Sequence, residues 1–133
     1  MSSLRVLHID DEPDILDIVS ASLGLDPEID VRDCGSGADG LVAAAEWRPD
    51  LILLDVMMPV MDGPATLEHL RENPRTADIP VVFMTARVQQ QDLARFKSLG
   101  AAGVITKPFD PMTLAAAVRS QIPPAVAEQR SPA

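Results

Sequence analysis

The sequence predicts a doubly wound α/β domain, in which a five-stranded parallel sheet carries helices on both faces. Five short apolar runs alternate along the chain with five stretches whose apolar residues recur at helical spacing. The run LILLD at 51–55 is apolar until its last residue, which is typical of a strand buried on both sides within a parallel sheet. Such alternation joins neighbouring strands through right-handed crossovers, which place helices on both faces.

The five predicted strands are short runs of mostly aliphatic and β-branched residues. In chain order they are 5–10, 30–34, 51–55, 80–85 and 103–106. We expect the flavodoxin-like strand order 2-1-3-4-5, which places the first and third strands side by side where the winding reverses. Ligands of such sheets bind outside the carboxyl ends of the strands at that point.

The predicted helices have apolar residues three or four positions apart and begin or end at suitable residues. Pro13 suits the first turn of the first helix, because the N–H that proline lacks would have no partner there. Gly100 is predicted to end the fourth helix. Asp110 is predicted as the N-cap of the last helix, with Pro111 at its first position. The helices are 13–25, 38 to the residue before Pro49, 64–73, 91–100 and 110–122.

Length, composition and charge limit the class of protein. A chain of 133 residues suits one domain, expected over 1–122, followed by a Pro- and Ala-rich tail over 123–133 that is expected to be disordered. The formal net charge of -9 argues against direct nucleic-acid binding, which depends on basic patches. Neither a run of about 18 apolar residues nor a secretory leader is visible, so we expect a cytoplasmic protein without membrane insertion. The single Cys34 cannot form an internal disulfide.

Acidic residues collect at the ends of the first and third predicted strands. Asp10, Asp11 and Asp55 would meet in one crevice, where three carboxylates suit a hard cation such as Mg²⁺. Thr85 closes the fourth strand and Lys107 follows the fifth, so a hydroxyl and an ammonium group lie at the same rim and could contact a phosphoryl oxygen. Taken singly, these residues also fit a solvated acidic turn, a β-forming threonine and a solvated lysine. Their joint placement favours a metal and phosphate site.

Four short motifs resemble those of the receiver domains of two-component response regulators. They are DDE after the first strand, LLDVMMPVMDG around the end of the third, MTA after the fourth and KPF after the fifth. The resemblance covers about residues 4–122. It implies that Asp55 accepts a phosphoryl group from a phosphohistidine of a sensor histidine kinase or a histidine phosphotransfer protein. It also implies that Mg²⁺ is bound by Asp11, Asp55 and the backbone carbonyl of Met57, with Asp10 acting largely through water.

The same resemblance assigns roles to residues near the fourth and fifth strands. Lys107 would screen the charge of the transferring phosphoryl group, and Thr85 would hydrogen-bond that group and report its presence, while Ala86 keeps the approach open. The Lys107–Pro108 peptide bond is expected to be cis. Val104 departs from the family, which commonly has Tyr or Phe three residues before the conserved lysine. Activation is therefore expected mainly in the loop after Thr85 and in the fourth helix.

These features predict a stand-alone receiver that signals by phosphorylation-dependent binding of a downstream target protein. It is not expected to be an enzyme, beyond self-catalysed phosphoryl transfer onto Asp55 and slow hydrolysis of the product. A haloacid-dehalogenase-like phosphohydrolase would need a second Asp two positions after the nucleophile, where this chain has Met57. A third interpretation is that the chain is a receiver cut from a longer regulator. Sizing the native protein in a cell extract would distinguish this from a stand-alone receiver. His8 and His69 are interpreted as structural residues rather than general bases.

Overall fold

A computed structural model of the protein describes residues 4–86 and 89–122; the predicted tail at 123–133 lies outside this part. The strands are β1 Leu4–Ile9, β2 Ile29–Cys34, β3 Leu51–Asp55, β4 Val81–Thr85 and β5 Gly103–Thr106. The helices are α1 Pro13–Leu23, α2 Gly37–Trp47, α3 Gly63–Glu72, α4 Gln90–Ser98 and α5 Leu114–Ser120. None of the helices in the described part is long and apolar enough to cross a membrane.

The five strands form one parallel sheet in the order β2-β1-β3-β4-β5, which confirms the predicted order. β3 lies at the centre, where Leu54 pairs with Ile9 of β1 and Asp55 pairs with Met84 of β4. All residues of β3 are buried, as expected for a strand covered on both faces. This register brings the carboxyl ends of β1, β3 and β4 to one edge of the sheet.

Apolar side chains pack against both faces of the sheet. On one face, Leu54 belongs to a cluster that includes Leu67 of α3. On the other face, Leu53 belongs to a cluster that includes Val19 of α1 and Leu114 of α5. Fully burying a side chain of this kind stabilises the fold by about 1.5–3 kcal/mol relative to leaving it exposed. The two clusters confirm that helices cover both faces.

Two predicted helix ends are found near their expected places. Pro13 is the first residue of α1, as predicted. Gly100 lies two residues beyond the end of α4 with φ 93°, a left-handed conformation that glycine adopts without a steric cost. There the N–H groups of Gly100 and Ala101 donate to the carbonyls of Lys97 and Phe96, each at 3.0 Å. This pair of hydrogen bonds is a Schellman motif, and it ends α4 just before β5.

The predicted start of the last helix is wrong. Asp110 does accept the Met112 N–H at 2.9 Å, as an N-cap would. The Thr113 N–H, however, donates to the Asp110 carbonyl at 3.1 Å, so the segment from Pro111 closes as a tight turn with three-residue spacing. The α-helix begins only at Leu114.

Candidate functional site

The sheet edge brings two acids and a lysine into contact. Asp10 directly follows β1, Asp55 ends β3 and Lys107 directly follows β5. The Lys107 Nζ lies 3.0 Å from Asp10 Oδ2 and 3.0 Å from Asp55 Oδ1. Asp10 is completely buried and Asp55 is 4% exposed. The predicted convergence of these three residues is therefore observed, as two charge-assisted hydrogen bonds largely shielded from water.

Burial and neighbouring charges shift the ionisation of all three groups. Burial raises the pKa of Asp55. The nearby carboxylates raise it further, and the Lys107 hydrogen bond opposes these effects only in part. Burial acts in the same direction on Asp10, but His8, the Glu12 backbone N–H and Lys107 outweigh it and hold the pKa of Asp10 below its usual value. Burial disfavours the charge on Lys107, but the two carboxylates hold its pKa above the usual value. The lysine is therefore a stable cation between the two acids.

Four carboxyl groups converge at this edge of the sheet. Asp10, Asp11, Glu12 and Asp55 each offer an oxygen, and these oxygens lie within 4.8 Å of one another. Asp11 Oδ1 is buried and has no hydrogen-bond partner among the described residues. A buried carboxylate oxygen without a donor is costly, and a bound cation would supply the missing partner. The all-oxygen donor set suits Mg²⁺, so the residues present fit the expected metal.

Glu12 is the member of this group that the sequence analysis did not identify as a ligand. It directly follows Asp11 within the DDE motif, so its acidity and position were visible. Glu12 is exposed, and the sequence does not show which residues after a strand end bring a carboxylate oxygen close to the others. The DDE motif was the signal that could have included it.

Thr85 and the residues around Lys107 lie at the same edge. Thr85 ends β4 and is 7% exposed, and its carbonyl accepts the Lys107 backbone N–H at 2.8 Å. This bond ties the segment after β5 to the end of β4. The Lys107–Pro108 peptide bond is cis, as expected. Ala86 is exposed beside Thr85, and residues 87–88 of the following loop lie outside the described part.

The loop between β3 and α3 forms another side of the crevice. Met57 lies two residues after Asp55 with its side chain 78% exposed, and its role as a carbonyl ligand stays a prediction. The Gly63 N–H donates to the Val56 carbonyl at 2.9 Å, which anchors the end of the loop. A Cβ at Gly63 would lie 2.5 Å from the Asp55 carbonyl oxygen, so glycine lets α3 begin this close to β3. Val60 is fully exposed and has φ 69°, an unfavourable conformation for a β-branched residue.

Val104 occupies the position where the family commonly has an aromatic ring. Its side chain is partly buried and packs against the core cluster that contains Phe96. Together with Leu93 and Lys97, these residues line a cavity of about 360 Å³ between α4 and β5. The expectation that activation appears mainly in α4 and the loop before it stays a prediction.

Comparison with known proteins identifies relatives of similar sequence. The chain is 43% identical over 116 residues to the DNA-binding dual master transcriptional regulator RpaA of Synechocystis sp., an alignment that covers 87% of this chain and 48% of the relative. It is 39% identical over 119 residues to the phosphate regulon transcriptional regulatory protein PhoB of Escherichia coli, covering 87% of this chain and 50% of the relative. The chain thus spans about half the length of these curated relatives.

A solved structure and a family model also match this chain. The chemotaxis protein CheY4 of Vibrio cholerae, crystallised at low pH, superposes with a TM-score of 0.84 at 30% sequence identity, covering 91% of this chain and 100% of CheY4. The model of the response regulator receiver domain matches residues 6–119. That match includes the acids, the threonine and the lysine at the sheet edge. The chain therefore belongs to the family of response regulator receiver domains.

Proposed function

We propose that this receiver domain accepts a phosphoryl group on Asp55 from a phosphohistidine of a sensor histidine kinase or a histidine phosphotransfer protein. The observation that carries the proposal is the contact of Asp55 Oδ1 with Lys107 Nζ at 3.0 Å, within a group of converging carboxylates. Asp55 combines a nucleophilic oxygen, a cation in contact and neighbouring metal-ligating groups. Phosphoryl transfer requires mainly positioning and charge stabilisation, and this arrangement supplies both.

The transfer forms one bond and breaks another. An Asp55 carboxylate oxygen attacks the phosphorus atom, a P–O bond forms, and the P–N bond to the donor histidine breaks. The released imidazole keeps the electron pair and takes up a proton from solvent. Lys107 stays close enough to neutralise one phosphoryl oxygen, and the hydroxyl of Thr85 is the group we assign to another. Slow hydrolysis of the same acyl phosphate resets the switch.

Asp11, Asp55 and the carbonyl of Met57 would hold Mg²⁺, with Asp10 acting through water, and the bound ion would supply charge stabilisation for the transferring phosphoryl group. The clustered carboxylates repel one another without a cation. Asp11→Asn should therefore stabilise the metal-free protein near neutral pH and reduce the rise in melting temperature that millimolar Mg²⁺ produces in the parent. Asp17→Asn, on the exposed side of α1, is the matched control and should leave the Mg²⁺ response unchanged. A lower melting temperature for Asp11→Asn with an undiminished Mg²⁺ response would contradict the metal site.

The output we propose is phosphorylation-dependent binding of a downstream target protein in the cytoplasm. RpaA is named a DNA-binding regulator, but the segment that matches this chain is 48% of it. The net charge of -9 gives this chain no general attraction to nucleic acid, so direct DNA binding is not part of the proposal. A haloacid-dehalogenase-like phosphohydrolase would need an acid at the position of Met57, whose thioether cannot transfer a proton.

Labelling with a small phosphodonor tests the acceptor directly. The full chain is incubated with radiolabelled acetyl phosphate and Mg²⁺, and the product is tested for the base lability of an acyl phosphate. Asp55→Asn should abolish labelling. Asp50→Asn is the control at the opposite end of β3, where the carboxylate accepts the Arg5 backbone N–H at 2.8 Å, and it should label like the parent. Base-labile label that persists in Asp55→Asn would refute the assignment.

A further inference from the structure

His8 is a buried polar side chain that the proposed function does not use. It lies within β1 and is completely buried. Neither ring nitrogen has a hydrogen-bond partner among the described residues. An imidazole buried without a partner raises the free energy of the folded state relative to an apolar residue of similar size. Its presence inside the sheet therefore needs a reason beyond packing.

A polar atom close to the ring is part of the acidic site. His8 Nε2 lies 3.7 Å from Asp10 Oδ2, which is too long for a hydrogen bond. The same Asp10 oxygen accepts a hydrogen bond from Lys107 Nζ at 3.0 Å. Lys107 also contacts Asp55, so His8, Asp10, Lys107 and Asp55 form one continuous row of polar groups. His8 lies at the end of this row, with Nε2 3.7 Å from an oxygen that already accepts a hydrogen bond from Lys107.

A phosphoryl group on Asp55 changes the demand on the lysine. It brings more negative charge than the carboxylate it replaces, and it draws the Lys107 ammonium group towards its own oxygens. Asp10 is completely buried, so bulk solvent has no direct access to Oδ2 when the distance between Lys107 and Asp10 lengthens. An Asp10 oxygen left without a donor would disfavour the phosphorylated state.

We propose that His8 is a positioning residue. Its Nε2–H donates a hydrogen bond to Asp10 Oδ2 when Lys107 moves from that oxygen to the phosphoryl group. The inference rests on the proposed function, since it requires a phosphoryl group on Asp55. A closing movement of about 0.8 Å would bring the two atoms to an ordinary hydrogen-bond distance. His8 then lowers the free energy of the phosphorylated state without touching the phosphoryl group.

Ring NMR of the full chain tests this exchange of partners. The protein carries two histidines, and ¹⁵N labelling of both lets His69, whose side chain is 53% exposed on α3, serve as the internal control. After phosphorylation with acetyl phosphate and Mg²⁺, the His8 Nε2–H signal should move downfield and exchange more slowly with water, while His69 stays unchanged. The mass of the same sample reports phosphorylation independently. An unmoved His8 signal in phosphorylated protein overturns the inference alone, whereas failure to phosphorylate overturns the proposed function and the inference with it.

Two variants separate hydrogen bonding from packing. His8→Gln places an amide N–H close to the position of Nε2, whereas His8→Leu keeps the volume and removes the donor. With Mg²⁺ present, His8→Leu should bind beryllofluoride, a phosphoryl mimic, about tenfold more weakly, the value of one hydrogen bond to a charged group. His8→Gln should restore most of that affinity. Equal losses in both variants, or no loss in His8→Leu, would overturn the proposal, and if His8→Leu does not fold, the ring spectra of the parent decide it.

Discussion

Replacing Lys107 with methionine removes the only cation that the described part of the chain places in contact with Asp10 and Asp55. Methionine keeps most of the aliphatic length of lysine. At 3.0 Å and an effective dielectric constant of 20, each lost contact is worth about 5 kcal/mol of attraction. Desolvation of the ammonium group cancels several kcal/mol of this, and breaking a buried ion pair usually costs about 3–5 kcal/mol. We expect Lys107→Met to lower the free energy of unfolding by about 3 kcal/mol. This is the low end of that range, because the Lys107 side chain is still 13% exposed.

The stability lost in Lys107→Met should depend on pH, because the groups at the site titrate differently in the folded and unfolded states. The pKa of Lys107 is raised in the folded state, so its contribution is complete below the unfolded value of about 10.4 and disappears as pH rises through the folded value. The pKa of Asp10 is lowered, so its contribution is present above about 3.9 and disappears as pH falls through the folded value. The stability gap between parent and Lys107→Met should therefore be widest near neutral pH. Mg²⁺ should narrow this gap, because it neutralises the same carboxylates.

Urea unfolding at pH 7, with and without Mg²⁺, measures this gap, and the fluorescence of the single Trp47 reports the transition. A loss of about 3 kcal/mol in the free energy of unfolding lowers the midpoint by about 1–3 M urea. Lys97→Met is the matched control, because Lys97 is the other lysine of the chain and is exposed on α4. It should change stability by less than about 0.5 kcal/mol. A Lys107→Met variant as stable as the parent without Mg²⁺ would refute the electrostatic account of the site.

Two further predictions concern the loop beside the site. Gly63→Ala should lower the free energy of unfolding, measured with urea, by about 2 kcal/mol, because the Cβ of the alanine would lie 2.5 Å from the carbonyl oxygen of Asp55. Gly35→Ala, whose Cβ would have nothing within 4 Å, should be nearly neutral, and equal effects would contradict the packing argument. Val60→Gly should stabilise by about 0.5–1 kcal/mol, because it relieves a left-handed conformation at a fully exposed side chain. The same substitution at Val42, exposed within α2, should destabilise, and a loss at both positions would show that no strain is relieved at Val60.

The sheet and the convergence at its edge could be predicted because strand ends carry the information. In a parallel sheet, a residue that ends a buried run must lie at the carboxyl edge, so Asp55 and Thr85 were located by position alone. The start of α5 could not be predicted in the same way. An Asp–Pro pair favours both a helix cap and a tight turn, and only the three-residue spacing of the Asp110–Thr113 hydrogen bond distinguishes them.

Distances between side chains from different strands could not be predicted from the sequence. That Lys107 contacts both Asp10 and Asp55 depends on strand register and on the path of the chain after β5. The histidine in β1 was interpreted as structural, because a sequence does not show whether buried ring nitrogens have partners. The 3.7 Å separation between His8 and Asp10 required coordinates.

Locating the phosphorylated residue tests the central claim most directly. Borohydride reduces an aspartyl phosphate to homoserine, so peptide mass spectrometry of the reduced protein identifies the carboxylate that carried the phosphoryl group. After incubation with a phosphohistidine donor protein and Mg²⁺, homoserine should appear at position 55 and should be absent when the donor or Mg²⁺ is omitted. Homoserine at Asp10 or Asp11 with Asp55 intact would contradict the assignment of Asp55 as the phosphoryl acceptor.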